Sequence, residues 1–157
     1  MTFQVTATVP VAEENEAVIV NDGWFPDVSL TTIRDLIRID GTITSPRLRE
    51  LTINAIYTVN SELVKWKQTK VANGHENLAA VPASTLDNIS TNIQRYTLAV
   101  SCLTKANIIE RYPDYDSSNE GNKRADDLEP SVGNLQRDAR WAINDILGIS
   151  RTTIELI

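Results

Sequence analysis

SPRLRELTINAIYTVNSELVKWKQTKVANG, residues 45–74, carries the strongest helix start in the chain. Ser45 is placed to cap, and Pro46 falls at the first helical position, where its missing N–H leaves no bond unmade. Leu48, Leu51, Ala55, Val59 and Trp66 recur at helical spacing and form one apolar stripe. Ile53, Tyr57 and Val64 fall on the opposite side. A helix apolar on two faces is either central in its fold or covered in part by another subunit. The run ends near Ala72, with Gly74 as its C-terminal stop. A helix of this length sets an all-α expectation for the chain.

Upstream, GWFPDVSLTTIRDLIRIDG places Trp24, Phe25 and Pro26 before a cap at Asp27 or Ser29, and predicts a helix over 29–39 closed by Gly41. Residues 1–22 alternate in a β-prone way (MTFQVTATVPV) and then turn acidic; with Pro10 and no helical period they read as an arm. Downstream, residues 73–89 form a connection with a small capping box at Ser84 and Asp87, allowing a helical turn or two. A third helix over 90–111 is apolar round most of its circumference, through Tyr96, Leu98, Ala99, Val100, Cys102, Leu103, Ala106 and Ile109, and stops before Pro113. Ala125, Leu128, Val132, Leu135, Ala139, Ala142 and Ile146 follow a 3,4 spacing. They predict a last helix over 118–147, kinked or briefly broken at Pro130 and ended by Gly148. The closing ISRTTIELI has no helical period. The expected organisation is therefore an arm (1–22), one compact bundle of about four helices (23–148) and a tail (149–157).

The composition narrows the function. Among the 157 residues, 41% are hydrophobic and 23% charged, as in an ordinary globular domain, and no run is long and apolar enough to span a bilayer. A net charge of −6 argues against a primary nucleic-acid binder, whose affinity comes from cations on phosphates. Lys65, Lys67 and Lys70 lie near a helix C-terminus, where cations complement the dipole. The single Cys102 and single His75 are far apart, so no zinc site is readable, and Cys102 reads as a buried, inert thiol. The sequence contains no phosphate-cradling glycine motif and no nucleophile elbow.

Residues 116–127 imitate a calcium loop. Asp116, Ser118 and Glu120 occupy ligand positions, Gly121 the turn and Asp127 the last ligand. The match fails at Lys123 and Arg124, which put cations where an apolar residue and a ligand belong, and Ser117 with Glu120 reads better as a capping box. Asp126, Asp127 and Glu129 diverge around a helix and cannot converge on one ion, so neither a catalytic, a cofactor nor a metal site is expected.

Several segments, in order, resemble the head completion proteins of contractile-tailed bacteriophages: FPDV at 25–28, SPRLRE at 45–50, ERYPDYD at 110–116, GNKRADDL at 121–128 and RDARWAI at 137–143. The resemblance implies a structural virion protein of the head–tail neck, made in the host cytoplasm, without enzymatic activity. It implies an adaptor-like ring that binds the portal after packaging and prepares it for a neighbouring neck or tail-completion protein. DNA would pass through such a ring without sequence-specific binding, and its acidic character suits a lumen that repels phosphate. Candidate contact residues are Ile53, Tyr57 and Val64 on the second helix, Arg137 and Trp141 on the last, and Ile149, Ile154, Leu156 and Ile157 in the tail. Trp and Arg are enriched at interface hot spots. The alternative from another class is a small cytoplasmic helical regulator that binds a protein through the same face of the second helix.

Overall fold

The computed structural model describes residues 16–39, 43–112 and 130–150. Among them the fold is all-α, with helices α1 (Leu30–Ile37), α2 (Ser45–Ala72), α3 (Thr91–Arg111) and α4 (Val132–Leu147). A two-residue hairpin, β1 (Thr85–Leu86) and β2 (Ile89–Ser90), is the one sheet in the described residues.

Helix α3 lies at the centre and packs on α1, α2 and α4. It runs antiparallel to α4: Arg95 near its start pairs with Asp145 near the end of α4 at 3.2 Å, while Glu110 near its end accepts from Gln136. It is antiparallel to α2 as well, since Tyr96 bonds Asn60 and Asn107 bonds the Leu51 carbonyl. The main core draws on all four helices, with Leu48, Leu51, Val59 and Leu63 from α2, Tyr96, Val100 and Ile108 from α3, and Ile143 from α4. A smaller cluster of Cys102, Ala106, Leu135 and Ala139 joins α3 to α4. Small residues there let the two helices approach closely. The buried hydroxyls of Thr52, Ser101 and Thr104 donate to carbonyls four residues back, which removes the cost of burying them.

Helix ends follow side-chain chemistry, with several departures from the sequence expectations. Ser29, not Asp27, caps α1, accepting from the Thr32 N–H. Asp27 instead accepts from the Asn21 N–H. Helix α1 stops at Arg38 in the left-handed region (φ 49°), before Gly41, which lies outside the described residues. Ser45 is the first residue of α2 and not its cap; Thr44 holds that position without a side-chain bond, and the Ser45 hydroxyl donates to Glu16. Gly74 (φ 87°) turns the chain after α2, with its N–H on Val71 and that of His75 on Lys70.

The capping box expected at Ser84 and Asp87 does not form. Asp87 and Asn88 have φ of 53° and 59°, the pair of positive values that a two-residue hairpin turn requires. The short helix in this connection is a single 3-10 turn, Leu78–Ala80, capped by Asn77. Of the kink or short break expected at Pro130, the described residues show no kink within α4, which starts after it: Ser131 is the N-cap and accepts from the Asn134 N–H at 3.2 Å. The expected start at 118, with Ala125, Leu128 and the rejected calcium loop, lies outside the described residues.

Residues 16–22, expected to end an arm, pack on the helices. Ile19 is buried and exchanges both backbone hydrogen bonds with Val28, at 2.8 and 3.0 Å. Glu16 pairs with Arg34 at 2.8 Å, and its carboxylate is almost wholly covered. Arg34 also donates to the Ile43 carbonyl, so one guanidinium ties this segment to α1 and to the entry of α2.

Candidate partner-binding surfaces

Helix α2 buries Leu48, Leu51, Thr52, Ala55, Ile56, Val59 and Leu63. At 100° per residue these occupy one side, and the positions expected for contact fall on the other. Ile53 is 45%, Tyr57 74% and Val64 43% exposed. Val71, missed in the sequence reading, extends the stripe and is 50% exposed. Its signal was present in the heptad spacing Tyr57, Val64, Val71. A ridge of four apolar side chains on the longest helix has no cover in the described residues.

On α4, Leu135, Ala139, Ala142, Ile143 and Ile146 face inward, which turns Trp141 outward. Trp141 is nonetheless more covered than exposed, and the Arg137 guanidinium lies over its ring at 4.7 Å from the centroid. Arg137 is held there by Asp138, with its Nη2 at 3.0 Å from Oδ1. The two expected contact residues therefore form one stacked unit. Ile149, just past the left-handed Gly148 (φ 72°), is 53% exposed, and its N–H bonds Asn144. Ile154, Leu156 and Ile157 lie outside the described residues. The α2 stripe and the Arg137–Trp141 pair sit on different helices and do not merge into one site.

Asn60, midway along α2, belongs to a polar device not legible in the sequence. Asn21, Asn60 and Tyr96, far apart in the chain, close a ring of hydrogen bonds. Asn21 Nδ2 donates to the Tyr96 hydroxyl at 2.8 Å, that hydroxyl donates to Asn60 Oδ1 at 2.7 Å, and Asn60 Nδ2 donates to Asn21 Oδ1 at 2.9 Å. Tyr96 is fully buried and stacks on Phe25, and burial pushes its phenol well above the usual tyrosine range. Trp24 meets Phe25 and Trp66 edge to face, and its indole N–H donates to the His75 carbonyl.

The lysine cluster is largely absorbed by this platform. Lys67 pairs with Asp22 and lies over Trp24 and Phe25, and Lys70 lies over Trp66. Burial raises the Asp22 carboxyl, but hydrogen bonds from Lys67 and from the Phe25 and Trp24 N–H groups outweigh it, and the net shift is downward.

Cys102 is buried, and burial, with a smaller push from Asp138, raises its thiol against the opposing pull of Lys105. A thiol kept protonated is a poor nucleophile. Among the described residues no group of three or more His, Cys, Asp or Glu side chains could hold a metal ion, and no helix is long and apolar enough to cross a membrane. Two exposed features have the character of contact surfaces, the apolar ridge and the Arg–Trp pair, whereas the cation-capped aromatic platform belongs to the core.

The comparisons agree with that character. The sequence model of the phage head completion protein (GPL) family matches residues 19–157. The chain is 34% identical to the head completion/stabilization protein of Escherichia phage P2 over 152 residues, covering 97% of this chain and 90% of the relative. No solved structure matches it. The matched region takes in the helices, the α2 ridge and the tail, and the chain belongs to the phage head completion protein family.

Proposed function

We propose that the protein completes the DNA-filled head by seating on the exposed end of the portal after packaging, as a ring of copies that presents the connection site for the tail. The observation that carries this reading is the α2 ridge of Ile53, Tyr57, Val64 and Val71, exposed along one side of a domain whose core is closed on the other. Exposed apolar surface of this kind marks association sites. The chain's role is structural and not catalytic, and its net charge of −6 suits a passage that DNA traverses without being gripped.

The tail supplies a second contact. Ile149, Ile154, Leu156 and Ile157 place four apolar side chains in nine residues, enough to anchor in a groove of the portal or of a neighbouring neck protein. Electron microscopy of particles from a phage lacking this gene tests the assignment. Filled heads that lose DNA and carry no tails are the expected product. Intact, tailed, infectious particles would overturn it and leave a cytoplasmic binding role.

A further inference from the structure

Beside the α2 ridge the fold carries a second apolar surface, an open groove of about 570 Å³ between α1, α3, the hairpin and the start of α4. Ile93, Leu98 and Cys102 of α3 line its floor, and Leu36, Ile37 and Leu135 its sides. Leu36 is 56% and Leu98 39% exposed, so the groove presents apolar carbon to water. Its charged lining residues are both cations, Arg38 and Lys105, in a protein of net charge −6.

We propose that this groove is the docking site of the C-terminal segment of the same chain, residues 150–157. Position is the first argument. The Arg95–Asp145 pair brings the end of α4 beside the first turns of α3, and the groove opens there, at Ile93 and Gln94. The chain leaves α4 at Gly148, turned by its left-handed backbone, with Ile149 outside the core.

Length is the second. From Ile93 to Lys105 the helix rises about 18 Å, and eight extended residues reach about 26 Å. The tail can therefore run the whole floor without strain. Chemistry is the third. Ile154, Leu156 and Ile157 match an apolar floor, and Glu155 among them matches a lining whose charges are Arg38 and Lys105. Tethering favours the chain's own segment over a free one, because a short linker holds it at millimolar effective concentration.

The docked tail covers the groove in the free subunit. The inference does not depend on the head-completion reading, since its experiment needs only the isolated chain.

Cys102 is the sole cysteine and lines the groove, which makes it a reporter. In the full chain, Leu156→Cys under mild diamide oxidation is expected to give an intramolecular disulfide, read as a monomer of faster non-reducing migration with both thiols lost. Disulfide-linked dimers alone would put the tail in a neighbour's groove, and no disulfide would leave the groove without it; either result overturns the proposal. A second measurement uses the native thiol. Maleimide should label Cys102 at least threefold faster in Leu156→Glu than in the parent chain, and equal rates would overturn the proposal too.

Discussion

Two residues show how far single side chains govern this fold. The Tyr96 hydroxyl closes the ring with Asn21 and Asn60 in a fully buried position. Tyr96→Phe keeps the stacking on Phe25 but leaves Asn60 Oδ1 without its donor, so a loss of about 1–3 kcal/mol is expected in urea unfolding. Asp22 gives the chain an acid-sensitive point. Its folded pKa lies below the ordinary aspartate value of 3.8, so its contribution is present above that value and is lost as pH falls through the folded pKa. Asp22→Asn should therefore lower the melting temperature at neutral pH and flatten its decline on acidification below about pH 4; an unchanged acid limb would refute the assignment. Neither residue's role was legible in the sequence. Asn21 is 75 positions from Tyr96 and 39 from Asn60, and no local pattern encodes a polar ring closed across such separations. Trp141 was legible by phase, since the inward residues of α4 place it outward, but its cover by Arg137 was not. Trp141→Ala should cost the monomer about 1 kcal/mol, the scale of an exposed cation–π pair. A loss of about 3–5 kcal/mol would mean a core role instead.

The helices themselves were the legible part, because amphipathic spacing depends only on local order. The ranges expected for α2 and α3 agree with Ser45–Ala72 and Thr91–Arg111 to within one residue at each end. The missed elements have two causes, a tertiary contact in one case and a misread local signal in the other. Residues 16–22 hold the apolar run Ala17–Val20, but no local pattern says what it packs on: Ile19 gains its pair in Val28 and Glu16 its partner in Arg34. The hairpin was missed because Ser84 and Asp87 imitate a capping box, while Asp87 and Asn88 between Leu86 and Ile89 fit a two-residue turn better. The start of α4 gives a test whose sign discriminates. With Ser131 as N-cap, Ser131→Ala removes the acceptor for the Asn134 N–H and should destabilise by about 1 kcal/mol. In a helix running unbroken through Pro130, the same change would stabilise by a few tenths of a kcal/mol, because alanine is the better helix former. Thermal unfolding of the variant separates the two.

At the scale of the whole molecule, one face of α2 carries stability and the proposed contact surface is the other. The side of α2 bearing Leu48, Val59 and Leu63 is fully buried and holds the domain together, while Ile53, Tyr57, Val64 and Val71 contribute little to it. Substitutions on exposed positions away from caps and pairs change stability by no more than about 0.5 kcal/mol. Glutamate is also a better helix former than tyrosine. Tyr57→Glu, at a side chain 74% exposed, should therefore leave the melting temperature of the isolated chain nearly unchanged. In an assembled particle the same change would place a carboxylate in the middle of an apolar contact, where an unpaired charge is costly. A phage lacking the gene, complemented with Tyr57→Glu, should accumulate heads without tails although the variant is folded and present. Val64→Glu, two helical turns further along the same face, should behave alike, whereas Thr58→Glu, exposed but beside the stripe, should complement fully. Full complementation by both stripe variants would remove α2 from the contact and leave the tail as the surface that joins this protein to the head.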